Sequence, residues 1–241
     1  MTIAKVLAAV AFALVAVLSS ESAQATVLTF AANYEFSGAT APAGSPPWFT
    51  VEFDDNNVAG SVIFTLTATN LTGAENVLSL YLNVDPALYG ALPLSFSGLT
   101  KTGTFDTPTI AQAVDGYKAD GDGFYDLLLS FSAGGNVNKT FTQGDVLDYT
   151  ISGPGLVATS FNFLSTPAGG HGPFYLASHI QNTGGGEQSG WVTDAPEPAT
   201  GTLLWLGFSG LIGARFLRRR RRRALHGRPR TGDPCRQCQF T

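Results

Sequence analysis

The densest group of chemically capable residues in this chain is Asp120-Gly121-Asp122-Gly123-Phe124-Tyr125-Asp126, with Asp115 just before it. Carboxylates at alternate positions of a glycine-rich loop can converge oxygens on a hard cation, because glycine lets the backbone turn sharply. Asp120, Asp122 and Asp126 are the best set of ligands for Ca2+. The match to a helix-loop-helix calcium loop is partial, since Phe124 stands where an acid or amide is wanted and no late Glu follows. Asp and Gly are also turn formers, so the same residues suit a solvated turn leading into a strand from Tyr125.

Other reactive groups are sparse. His171 and His179 are spaced by eight, which is not a zinc pattern, and no cysteine lies near them to complete a site. There is no Gly-x-Ser-x-Gly elbow. Asp54-Asp55 suits an acidic turn before Asn56-Asn57 better than a pair of glycosidase carboxylates, which need a defined separation in space. Trp48 and Trp191 are candidates for a sugar-stacking platform, although large aromatics in a β protein commonly fill its core. Cys235 and Cys238 form a lone Cys-x-x-Cys near the C-terminus, without a second pair or a βαβ context. These residues predict no enzyme and no obligatory cofactor beyond the candidate Ca2+.

The elements that must position them read as strands. Thr26 to Tyr34, Trp48 to Phe53, Val62 to Ala68, Leu78 to Val84, Leu92 to Leu99 and Tyr125 to Phe131 are short apolar or alternating runs between turn signals. Lys139 to Phe141, Asp145 to Ile151, Ser160 to Leu164, Phe174 to Gln181 and Gly190 to Thr193 continue the series. Pro93 assigns Leu92 to Leu99 to an edge or a bulge. About ten strands at spacings of roughly 10 to 15 residues, with no sustained helical period, predict an all-β antiparallel β-sandwich. From residue 26 to 194 there are 15 acidic residues against Lys101, Lys118 and Lys139, a balance of −12, with no arginine. Such a body repels phosphate backbones, which excludes nucleic acid as a partner.

The two ends are of a different kind. Lys5, the apolar run Val6 to Leu18 and the small residues Ala23 and Ala25 predict a signal peptide over 1–25, cut after Ala25. Pro196 and Pro198 bar a helix from starting before Ala199. From Ala199 to Leu217, 19 residues carry only four polar side chains, and roughly 28 Å of helix can span a bilayer as one C-terminal transmembrane helix. Arg218, Arg219, Arg220, Arg221, Arg222 and Arg223 follow and hold that end in the cytoplasm, as do all the chain's arginines, none of which precedes position 215. Residues 224–241 read as a disordered cytoplasmic tail.

Pro196, Glu197 and Pro198, then a span with Gly201, Gly207, Gly210 and Gly213, then the six arginines, resemble the PEP-CTERM sorting signal of Gram-negative surface proteins. The resemblance covers residues 195–223 and leaves the body over 26–194 unassigned. It implies an exosortase-type transpeptidase as partner, with cleavage at or near the tripeptide. It also implies export across the inner membrane, transient anchoring, and delivery to the outer surface or to the extracellular polysaccharide matrix of a biofilm. The expected role is a non-catalytic surface or extracellular-matrix protein; the alternative is a carbohydrate- or calcium-binding module at the cell surface. The tail departs from the family pattern, which usually ends within a few residues of the arginines.

Overall fold

The computed structural model describes residues 25–134, 136–186 and 188–194. The predicted signal peptide before Ala25, the Pro196-Glu197-Pro198 motif, the span, the arginine cluster and the tail with Cys235 and Cys238 lie outside the described residues. Among those described, no helix is long and apolar enough to cross a membrane.

The described chain is all-β, with eleven strands and every strand pairing antiparallel. They are β1 (Val27–Glu35), β2 (Phe49–Asp54), β3 (Ser61–Ala68), β4 (Asn76–Leu82), β5 (Ser95–Thr102), β6 (Thr109–Ala119), β7 (Gly123–Ser130), β8 (Val146–Ser152), β9 (Thr166–Pro167), β10 (Leu176–Thr183) and β11 (Gln188–Asp194). The ladder runs β5-β8-β3-β2-β1-β11-β10-β4-β7-β6, with β9 paired to β7. It is one path, yet the fold is sandwich-like. Val62, Phe64 and Leu66 of β3 and Leu147 and Ile151 of β8 share a single buried core with Leu80 of β4, Leu127 and Leu129 of β7, and Ile180 of β10.

β1 makes that arrangement. Its residues Val27 to Ala32 pair with β2, and Ala32 to Glu35 pair with β11, with a register shift between Ala32 and Tyr34. A strand that changes neighbours through a bulge turns the corner between two packed layers. Phe30 and Ala32 face the core before the bulge, while Asn33 and Tyr34 beyond it are exposed.

Alternation works well in the central strands. In β3, Val62, Phe64, Leu66 and Ala68 are buried and the residues between them are not, the pattern of a strand with one face on a core. Two expectations need correction, and one strand is missing from the sequence reading. Ser160 to Leu164 is no strand: Ala158–Phe161 is a 310 turn that delivers Phe161 into the core. Lys139 to Phe141 contributes only a single bridge, from Phe141 to Val77. β6 was not legible, because as an outermost strand it is mostly exposed and lacks an apolar stripe.

Both ends of the ladder are dressed. Leu94, just before β5, donates its N–H to Gln112 Oε1 and accepts from Gln112 Nε2, each at 2.8 Å, so a β6 side chain supplies the pairing that a strand would. Two of the body's three lysines sit on these end strands, Lys101 on β5 and Lys118 on β6, and both strands are bulged. Bulges and edge lysines discourage strand addition.

In the core, Phe53 stacks on Phe161 with centroids 4.0 Å apart and also meets Phe30 and Phe64. Phe53→Ala is expected to lower unfolding free energy by roughly 3–5 kcal/mol, the usual loss for a buried aromatic. Urea unfolding followed by circular dichroism measures it.

Candidate functional site

The carboxylates singled out from sequence lie along one hairpin but do not converge. Between β6 and β7 the chain turns through Asp120 and Gly121, both with positive φ, closed by a hydrogen bond from Asp122 N–H to the Ala119 carbonyl at 2.8 Å. Asp-Gly suits this turn because both central residues tolerate the left-handed region. Asp122 is buried and faces the loop before β10: its Oδ1 accepts the His171 backbone N–H and lies 3.5 Å from His171 Nδ1. Gly170 has no room for a side chain, since a Cβ there would overlap that same carboxylate.

Asp126 is engaged elsewhere. It is 1% exposed, and its carboxylate accepts the Val84 N–H at 3.0 Å and the Asp115 N–H at 2.9 Å. Tyr89 lies near it, and burial followed by the Asp126 charge pushes that phenol up to about 12. Burial raises Asp126 itself above the ordinary carboxylate range, against the pull of its backbone donors. The three predicted Ca2+ ligands therefore do not form one site, and among the described residues no group of three or more His, Cys, Asp or Glu side chains is arranged to hold a metal.

Asp126 also explains why alternation fails in β7. Between the pairs Gln112↔Leu127 and Tyr117↔Tyr125, β6 carries four residues opposite Asp126 alone. Asp115, within that bulge, has φ +49 and offers its N–H to Asp126. Tyr125, Asp126 and Leu127 are consequently buried in succession. Leu127 joins the main core, whereas Tyr125 joins a second cluster with Phe36, Ala119, Phe174 and Ala177, against which Tyr81 and Trp191 pack. Sequence alternation places Tyr125 on the face of Leu127; the bulge puts it on the other.

This second cluster is the richest candidate region on the molecule. His179 and Trp191 are cross-strand partners, their rings stacked at 4.7 Å and 11°, and Tyr81 lies 5.6 Å from the indole. Burial lowers the His179 pKa, partly offset by Asp120. Asp120 is raised by its own burial and then by Asp122 and Glu35 nearby. Glu35 is spent on the turn after β1, accepting from Ser37 N–H at 2.9 Å, from the Ser37 hydroxyl and from Gly38 N–H. The Tyr125 hydroxyl is buried without a hydrogen-bond partner.

The two tryptophans part company. Trp48 is core, 4% exposed, with Nε1–H donated to the Gly44 carbonyl at 2.7 Å. Trp191 is half-buried and clamped between His179 and Tyr81, so the two indoles do not form one platform. Asp54 and Asp55 make a turn: they accept the Asn56 and Asn57 N–H groups, and both asparagines have positive φ. Asp55 also takes the Thr26 N–H at 2.9 Å, the main cause of its lowered pKa.

The His179–Trp191 pair was findable. Gly184-Gly185-Gly186 between two apolar runs reads as a hairpin, and residues equidistant from Gly185 then face each other. Asp122 and His171 are 49 residues apart, and no local pattern joins them.

What the region can do chemically is limited by its carboxylates. Asp122 with His171 is the carboxylate-imidazole half of an acid-base relay, and among the described residues no nucleophile is hydrogen-bonded to the imidazole. Asp194, which ends β11, is pushed up to about 6 by burial, with a Thr193 hydrogen bond opposing. A carboxyl raised on folding stabilises the fold most below its unfolded pKa, about 4, and that contribution is lost as pH rises through the folded value. Asp120, Asp126 and Asp145 are raised for the same first reason. Asp194 therefore favours the fold more at pH 5 than at pH 7, whereas His179, lowered by burial, acts in the opposite sense as pH falls. Asp194→Asn should flatten the melting profile between about pH 4 and about pH 6; a profile unchanged by that substitution would contradict the assignment.

Compared with protein-family models, curated proteins and solved structures, the chain matches none.

Proposed function

We propose that this chain is a non-catalytic secreted protein of the cell surface or extracellular matrix, sorted through the PEP-CTERM-like segment at residues 195–223. The observation that carries the reading is the order Pro196-Glu197-Pro198, apolar span, Arg218 to Arg223, placed directly after a body that bears no arginine. In this reading the span tethers the body after export. An exosortase-type transpeptidase then cuts at or near the tripeptide, and the arginines and tail stay behind in the membrane and cytoplasm. The body passes to the outer surface or the polysaccharide matrix.

Three features of the body support this. The described core runs from Phe30 to Val192, ahead of the tripeptide, so cutting there removes none of the described core residues. Its charge of −12 keeps it soluble and away from anionic headgroups. Asp55 accepts the N–H of Thr26, the residue that signal cleavage after Ala25 would expose. The new ammonium would face the same carboxylate.

Mass spectrometry of the protein from culture surface fractions tests the proposal. The expected product begins at Thr26 and ends upstream of Arg218. Replacing Pro196, Glu197 and Pro198 together by Ala should leave the full C-terminus attached in the membrane fraction. Surface-fraction protein that still carries Arg218 to Arg223 would refute processing. A ligand-binding role for the body is the second reading, favoured by a neutral polar groove on the β10–β11 hairpin.

A further inference from the structure

We infer that the β10–β11 hairpin forms a binding groove for a neutral saccharide. Two clefts, of about 310 and 230 Å3, lie on either side of Asn182 and share Asn182 and Gly186 as walls. The first is lined by Gln181, Gln188 and Ser189 together with Gly134 of the turn after β7. The second runs past Thr72 and Glu75. Together they are of the size of a small ligand site.

The groove is polar and, among its described residues, nearly free of charge. Glu75 is the one ionisable side chain among the described lining residues, and its carboxylate is consumed by Ala43 N–H at 2.7 Å, Thr72 N–H at 2.8 Å and the Thr72 hydroxyl at 3.1 Å. The Gln181 amide and the Ser189 hydroxyl engage no other described side chain. Asn182, at φ +60, fixes the groove's centre: its Nδ2 donates to the Ala74 carbonyl at 3.1 Å and to Asn76 Oδ1 at 2.8 Å. Directly behind it, Asn76 Nδ2 and Thr183 Oγ1 are buried without hydrogen-bond partners. They are two of the three such atoms among the described residues, and buried polar groups are otherwise nearly always paired.

These features select the ligand class. An anion would meet a strongly acidic body with no lysine or arginine in the groove. A cation would find no free carboxylate among the described lining residues. A peptide adding as a strand is barred, because β10 and β11 are interior strands whose ladder groups are already paired on both sides. An apolar ligand would leave the amides unpaired. A neutral polyol fits, since the Gln181 amide offers both donor and acceptor to adjacent hydroxyls, with the Ser189 hydroxyl opposite it, while Asn182 Nδ2 and Gln188 Oε1 are held by the protein itself. The Gln181↔Ser189 pair is followed, two residues along the same face and about 7 Å away, by the His179↔Trp191 stack. That stack lies beyond the lining of either cleft, with the indole packed against His179 and Tyr81.

The inference deepens the ligand-binding reading and is independent of the sorting one. The test is calorimetric titration of the full chain in a non-glycosidic detergent with cellohexaose, maltohexaose and laminarihexaose, and with hexagalacturonate as the anionic comparison. At least one neutral hexasaccharide should bind with a dissociation constant below about 1 mM, and the anionic one at least about tenfold more weakly. Gln181→Ala and Ser189→Ala should each weaken the neutral ligand at least about fivefold while the melting temperature is retained. If Gln181→Ala fails to fold, Ser189→Ala carries the test. No binding of any neutral probe at about 10 mM, equal binding by the folded variants, or preference for the anionic probe would each overturn the proposal. None of these results alters the mature C-terminus, so a failure here is separable from a failure of the sorting reading.

Discussion

A strand has two edges to pair, and β1 divides its own between two neighbours in a way that sets the whole molecule. Up to Ala32 it extends the β2 side of the ladder, and from Ala32 onward it pairs with β11. Without that handover the strands on either side would be separate sheets with unpaired edges at the middle of the structure. Ala32 pairs with Phe49 on one side and Asp194 on the other. Phe30, just before the bulge, is in contact with Phe53 of β2 and with Tyr175 beside β10, so the corner is packed as well as hydrogen-bonded.

The second organising constraint is polar. The body has many acids and no arginine, so buried carboxylates cannot be answered by guanidinium groups. They are answered by backbone N–H groups instead. Glu75, Asp126 and Asp145 each accept from main-chain donors on loops or in the β6 bulge, tying Thr72, Val84 with Asp115, and Thr142 into place. Such bonds are charge-assisted and satisfy turn donors that would otherwise be buried unpaired. An acidic sequence of this kind uses its carboxylates as internal fasteners, which leaves fewer of them for metals or catalysis.

How much of this the sequence disclosed follows from whether the cue was local. The strands β2, β3 and β8 alternate cleanly because one face of each meets the main core, and their limits were legible to within a residue or two. β6 escaped because a bulged, exposed end strand has no apolar stripe, although the Asp120-Gly121 turn that leads out of it was a hairpin signal. Tyr125 was assigned to the wrong face because a four-residue bulge on its neighbour resets the alternation, and nothing in β7 itself announces that. The site fared similarly. The turn character of Asp54-Asp55 and the core position of Trp48 follow from short-range chemistry and size. The pairing of Asp122 with His171, and the separation of Asp126 from Asp122, depend on which loops the sheet brings together.

The Gln112 amide at the end of the ladder has a consequence for life among many copies. Wherever copies of a β protein meet at high concentration, a bare strand end acts as a template for the next molecule. Here Gln112 occupies both Leu94 backbone groups from within the same chain, so that position is already filled. The bulge between Gln112 and Tyr117 prevents β6 from presenting a straight row of donors and acceptors to an incoming strand. That end of the sheet therefore offers an incoming strand few groups to pair with, which disfavours edge-to-edge addition there.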